Sequence, residues 1–192
     1  MEGRTETVAF TRMEDGTKED YELLDRLEQP YLDALPDRLL AAVEALKESF
    51  SGYQVSRYEH SLQSATRAER DGRDEEYVVA ALVHDIGDEL APHTHGEMMG
   101  AVLRPFVRPE VCWIVSHHGL FQSYYYAHHT GGDRDARERY RGHEWFDACA
   151  EFCERYDQNC FDPAYESFPI EHFEPMVRRV FAEPRYLETE AD

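Results

Sequence analysis

The chain of 192 residues carries 40 Asp and Glu against 20 Lys and Arg, a formal charge of −20; nucleic acid and anionic membranes, which are bound chiefly through basic side chains, are not expected as partners. A hydrophobic content of 42% at this length suits a single domain with a core large enough to fold unaided. No apolar run long enough to span a membrane occurs and no apolar signal core follows Met1, so a cytoplasmic protein is expected.

In chain order, the first eighteen residues are polar apart from Val8, Ala9, Phe10 and Met13, and form an arm. Tyr21, Leu24, Leu27 and Tyr31 recur at helical spacing over 18–35, in a helix disturbed near its end by Pro30. A second helix starts at Pro36, with Leu39, Leu40, Val43 and Leu46 as its buried stripe. Past Gly52, Ser56 and Glu59 make a capping box for a helix that runs to Asp71-Gly72 and places His60 in its first turn. Asp74 caps the next helix, 75–86, which is apolar nearly all round between Val78 and Val83 and is therefore central.

Thr94 and Glu97 form a second capping box, putting His95 at the first position of a helix reaching Pro105. Pro109 opens another, ending at His117-His118-Gly119, where glycine is a natural stop. An aromatic stretch, 121–126, leads through His128-His129 and Gly131-Gly132 into a charged segment, 133–141. A helix over 143–159 carries Asp157, and a last helix spans 170–181. No strand alternation of useful length occurs, so the class is all-α. The cysteines include no Cys-x-x-Cys pair; Cys149 and Cys153, four apart on one helix face, are expected as buried thiols.

The chain is organised around Val83-His84-Asp85-Ile86-Gly87. A bare carboxylate at the end of a buried helix is costly unless it is paired, hydrogen-bonded or metal-bound. Separate helices bring further groups of the same chemistry, in the order His60, His84-Asp85, His95, His118, Asp157. Six nitrogen and oxygen donors are too many for one ordinary site. Imidazole with carboxylate suits zinc, iron or manganese, and a carboxylate can bridge two ions, so the set is large enough for a dinuclear centre with open positions.

From about Ser56 to Asp162 the sequence resembles the HD-domain superfamily, and within it the branch of inositol oxygenases and small diiron oxygenases that degrade hydroxylated phosphonates. The superfamily's first His, His-Asp pair and last Asp are matched by His60, His84-Asp85 and Asp157; the two extra histidines of the dinuclear branch are matched by His95 and His118. The resemblance implies an all-α HD-domain helical bundle with extra N-terminal helices: 1–52 as arm and helices covering or packing on the core, and 53–192 as the HD domain with its C-terminal helix. It implies that His60, His84 and Asp157 ligate one metal and His95 and His118 the other, with Asp85 bridging them. His84 and Asp85 then lie at the catalytic centre, and His117 competes with His118.

The cofactors implied are two iron ions, Fe(II) and Fe(III), with O2 as co-substrate, acting to cleave a C–C or C–P bond in a small hydroxylated molecule. The alternative is a dinuclear phosphohydrolase of a nucleotide or small phosphoester, using manganese or another divalent ion. Two departures bear on substrate. Where the branch tends to place a basic residue three positions after the metal-binding Asp, this chain has Asp88. Where a lysine often stands four positions after the last histidine, it has Gln122. Both remove positive charge from the expected pocket unless Arg57, Arg67, Arg104 or Arg134 reaches in. Asp88 with Phe121, Tyr124, Tyr125 and Tyr126 could instead hold an amine or quaternary ammonium group; the alternative is core tyrosines and an Asp88 that caps a loop. Substrate contacts are thus expected from Asp88, Gln122, Tyr126 and His117.

Overall fold

The computed structural model describes residues 6–50 and 52–186, so the first five residues of the arm and the last six of the chain lie outside the described residues. Among the described residues eight α-helices follow in order: α1 (Lys18–Asp33), α2 (Leu35–Ala45), α3 (Arg57–Arg70), α4 (Glu75–Val83), α5 (His95–Leu103), α6 (Pro109–Tyr126), α7 (Phe146–Phe152) and α8 (Ile170–Val180). No strand interrupts them among the described residues, and no helix there is long and apolar enough to cross a membrane.

Helix α4 is the axle. Its start is fixed by the Asp74 carboxylate, which accepts from Tyr77 N at 3.1 Å, and every residue from Tyr77 to Val83 is buried. Each Val or Leu side chain buried there contributes roughly 1.5–3 kcal/mol. A helix apolar all round needs cover on all sides, and α2, α3, α6 and α8 supply it. The helix therefore ends deep in the protein, with His84 as its C-cap and Asp85 in the turn that follows.

The capping box expected at Ser56 forms: Glu59 N donates to Ser56 Oγ at 3.1 Å, and Ser56 N to Glu59 Oε2 at 2.7 Å. The one expected at Thr94 does not. Thr94 has ψ 26°, outside the extended region an N-cap adopts, and its side chain caps nothing. Pro30 does not end α1, which continues to Asp33; the carbonyl deprived of its donor belongs to exposed Arg26.

Gly119 does not stop α6, which runs straight through it to Tyr126, so the aromatic stretch is helical. The expected 143–159 helix is instead α7 followed by a π-helical turn, Cys153–Asp157, in which Gln158 N donates to Cys153 O at 2.9 Å. Such wide turns are frequent at functional sites. Cys149, Cys153 and Cys160 are buried free thiols, and Cys112 is half-buried.

Helix α1 buries no residue, and Leu27, Tyr31 and Leu32 remain exposed. A chain shortened to begin at Ala34 is therefore expected to unfold within about 1 kcal/mol of the full chain, as surface changes do; thermal unfolding of the two proteins checks this, and a loss of several kcal/mol would show α1 to be part of the core.

Candidate metal centre

Five elements deliver the six candidate ligands to one point. His60 comes from the first turn of α3, His84 and Asp85 from the end of α4, His95 from the first position of α5, His118 from the middle of α6, and Asp157 from the π turn. His60 and His84 are completely buried, and Asp85, His118 and Asp157 nearly so. Glycines make the approach possible: a Cβ at Gly96 would stand 2.8 Å from Val115 O, and one at Gly87 2.8 Å from His95 O.

The Asp85 carboxylate divides the donors into two groups. Its Oδ2 lies 3.2 Å from His60 Nε2 and 3.3 Å from His84 Nε2, with Asp157 Oδ1 3.5 Å from His60 Nε2. Its Oδ1 lies 3.3 Å from His118 Nε2 and 3.6 Å from His95 Nε2. Such a disposition would let one carboxylate serve two cations, one on each oxygen, and His60, His84 and Asp157, like His84, Asp85 and His118, bring donor atoms within 4.8 Å of one another.

The ring protons decide whether cations fit. His60, His84 and His118 hydrogen-bond through Nδ1 to backbone carbonyls, Cys160 O at 3.1 Å, Ala81 O at 2.7 Å and Val115 O at 2.7 Å, while His95 Nδ1 lies in a charge contact 2.9 Å from Asp88 Oδ1 without hydrogen-bond alignment. An Nδ1 that donates leaves a neutral ring with a bare lone pair on Nε2. Yet Nε2 of His60 and His84 are 3.2 Å apart, and those of His95 and His118 3.0 Å apart. Two lone pairs at that separation repel unless a cation stands near both. Asp157 adds a buried Oδ2 with no hydrogen-bond partner. Nitrogen and oxygen donors in this arrangement suit iron, manganese or zinc.

The charges are ordered around Asp85. Burial pushes its carboxyl up, but His84, Arg57 and contacts from His118 and His60 outweigh burial and hold it well below the usual carboxylate range. Arg57, with its Nη2 at 2.9 Å from Asp85 Oδ2, also pairs with Asp88. Burial lowers and Asp88 raises the His95 imidazole, for a net rise.

A cavity of about 370 Å³ opens onto the donors, walled by Tyr53, Arg57, Gln122, Tyr125, Tyr126, Gln158 and Phe161. Gln122 lines it and donates to Asp157 Oδ1 at 2.8 Å. Tyr126 stands at its rim, 53% exposed. Asp88 does not line it, and the expected cage of Asp88 with four aromatics is corrected: Asp88 is committed to Arg57 and His95. Phe121 is buried against Trp113 and Phe146, and Tyr124 packs under Arg134 and Arg137.

His117 stays out of the donor cluster. Its Nδ1 is 2.8 Å from Trp113 O and its ring stacks on Trp113, facing a second cavity of about 580 Å³ beyond His95 and Gly119. Of the four arginines named from sequence, only Arg57 reaches the cavity over the donors.

Tyr53, Gln158 and Phe161 were not anticipated. Phe161, stacked on His60 at 4.4 Å, follows Asp157 by four residues, a spacing that could have pointed to it. Gln63 holds that segment, donating to Asp162 O at 2.8 Å. Tyr53 lies in irregular chain and had no sequence signal.

Comparison with known proteins gives two findings. Residues 57–151 match the family model described as HD domain. A protein of Leisingera caerulea, (1-hydroxy-2-(trimethylamino)ethyl)phosphonate dioxygenase (glycine-betaine-forming), is 34% identical over 88 residues, which cover 40% of this chain and 45% of that protein. The aligned stretch thus spans less than half of the curated relative.

Proposed function

The chain carries an HD domain, and on that premise we propose that it is a diiron oxygenase that uses O2 to cleave a C–C or C–P bond in a small hydroxylated substrate. The observation that carries the reading is Asp85, whose two oxygens face separate histidine pairs. The dioxygenase relative, which acts on a hydroxylated phosphonate by its name, supports the oxygenase over the hydrolase. Metals bound there would supply Lewis acidity toward a substrate hydroxyl and a place for O2.

The chain's own residues do the rest. His60, His84 and Asp157 would hold one ion and His95 and His118 the other, with Asp85 between. Gln122 fixes the Asp157 carboxylate by its amide hydrogen bond. Tyr53 and Phe161, 4.5 Å apart and continuous with the His60 ring, wall one side of the donors and keep water from them. Arg57 offers a guanidinium at the cavity for an anionic group of the substrate, while the tyrosine faces suit a cationic one. The substrate class is therefore a small hydroxylated molecule with room for opposite charges at its two ends.

Protein expressed with iron and partly reduced is expected to contain two irons per chain and to give a coupled mixed-valent signal in low-temperature electron paramagnetic resonance. That signal should change on addition of hydroxylated candidates and be followed by O2 uptake. Manganese, nickel or zinc in the protein, no such signal, and phosphate release from phosphoesters would overturn the oxygenase in favour of a dinuclear phosphohydrolase.

A further inference from the structure

The two halves of the donor set are not held alike. His60, His84 and His118 rest their Nδ1 atoms on backbone carbonyls, two of them on the preceding turn of their own helix. The acceptors of His84 and His118 cannot leave without unfolding helix, and that of His60 is backbone just past the π turn. His95 alone has its Nδ1 against a side chain, Asp88 Oδ1 at 2.9 Å, and it is the most accessible donor, with 20% of its side chain exposed against 0–4% for His60, His84, Asp85, His118 and Asp157.

Asp88 in turn is gripped through its other oxygen by Arg57 Nη2, and that same nitrogen is 2.9 Å from Asp85 Oδ2. Asp85 Oδ1 closes the circuit at 3.6 Å from His95 Nε2. Asp85, Arg57, Asp88 and His95 thus form a ring of alternating charge and donor, in which the bridging carboxylate and the carboxylate behind His95 share one guanidinium. The His95/His118 half offers three protein donors, counting Asp85, while the other half offers four.

Resting on the dinuclear reading above, we propose that Asp88 is a positioning residue for His95, anchored by Arg57, and that this side-chain latch governs retention of the ion at the His95/His118 position alone. A carboxylate behind a ligating imidazole fixes ring orientation and makes Nε2 a stronger donor, and its loss typically lowers metal affinity by about 10–100-fold. The backbone-anchored half owes nothing to Asp88. Asp88 is therefore a metal-site residue in this chain, and the pocket's substrate charge is set by Arg57 and the aromatic wall.

Titration of metal-free protein with manganese(II), following bound ion and electron paramagnetic resonance, tests this without reference to turnover. Wild type is expected to take two ions and give the signal of a coupled pair. Asp88→Asn should keep the first ion at unchanged affinity and bind the second about 10–100-fold more weakly, giving the six-line signal of an isolated ion at intermediate loading; Asp88→Glu should recover part of the second affinity. Arg57→Lys, a second variant in case the first folds poorly, should weaken the second ion in the same direction. Two ions bound by Asp88→Asn with wild-type affinities, or parallel loss of both, would overturn the latch while leaving the dinuclear reading intact. A wild type that binds a single ion would overturn the dinuclear reading itself.

Discussion

Asp85→Asn is expected to release both metal ions and abolish turnover, the largest single-residue effect in this protein. The substitution keeps the shape of the side chain and removes one anionic oxygen. Each oxygen of Asp85 faces its own histidine pair, so an amide presents oxygen to one half and an N–H to the other. That N–H points at bare Nε2 atoms and could bond to one of them, which leaves a cation no place there. Loss of an outer carboxylate costs about 10–100-fold in metal affinity, and removal of the shared ligand should exceed the upper figure at both positions. The metal-free fold should survive, because Arg57 keeps Asp88 as its counter-ion and is not stranded as a buried unpaired charge, a loss that costs about 3–5 kcal/mol. Metal analysis beside circular dichroism decides the matter. A folded Asp85→Asn protein that retains two ions would show that Asp85 does not bridge.

The second large effect is expected at α5. Gly→Ala inside a helix ordinarily gains about 1 kcal/mol; Gly96→Ala should instead cost about 1–3 kcal/mol, the usual toll of overpacking. A methyl there would sit 2.8 Å from Val115 O and 3.2 Å from Ser116 O, backbone atoms of α6 that cannot turn away. Val115 O is also the acceptor that orients His118. Relief by separation of the two helices would draw His95 from His118, so metal at that position should weaken along with stability. Gly100→Ala is the control. Its methyl would overlap the Ser116 hydroxyl, a side chain that can rotate at the cost of its hydrogen bond to Cys112 O, and its effect on metal should be smaller. Denaturant unfolding and metal titration of both variants test the pair; a Gly96→Ala protein as stable as wild type would mean the helices are not in contact there.

These glycines also explain where the sequence misled. Gly119 follows two histidines and looks like a helix stop, but α6 runs through it against α5, where a Cβ would make an ordinary contact 3.5 Å from His95 Cε1. The rule that glycine ends helices describes isolated chain and says nothing of a second helix lying across it. The central helix was legible because apolar residues on every face leave no choice but burial, and the Ser56 box because its hydrogen bonds are local. The convergence of His60, His84, Asp85, His95, His118 and Asp157 was legible through residue type and order.

What was not legible depends on distance through the fold. Asp88 looked like a pocket residue until Arg57, 31 positions earlier, and His95 claimed its two oxygens. The π turn that carries Asp157 leaves no mark in hydrophobic spacing. The Thr94 box failed although both of its residues are present, because the backbone at Thr94 turns with ψ 26° as it delivers His95.

The thiols packed behind the ligands bear on how long such an enzyme would last. Cys153 Sγ donates to His118 O at 3.4 Å, and Cys149, its neighbour on the same face, donates to Ile114 O at 3.6 Å. Cys160 supplies the carbonyl that orients His60. Oxidants attack the thiolate far faster than the thiol. Burial, joined by the neighbouring Cys149 at Cys153 and by Asp157 at Cys160, pushes both of these thiols up and keeps them protonated. If the centre handles O2 as proposed, the thiols behind it are held in their least oxidisable form, and wear should fall first on Cys112, which packs against Gly100 of α5 and is also raised by burial but is half-buried where the other three thiols are buried.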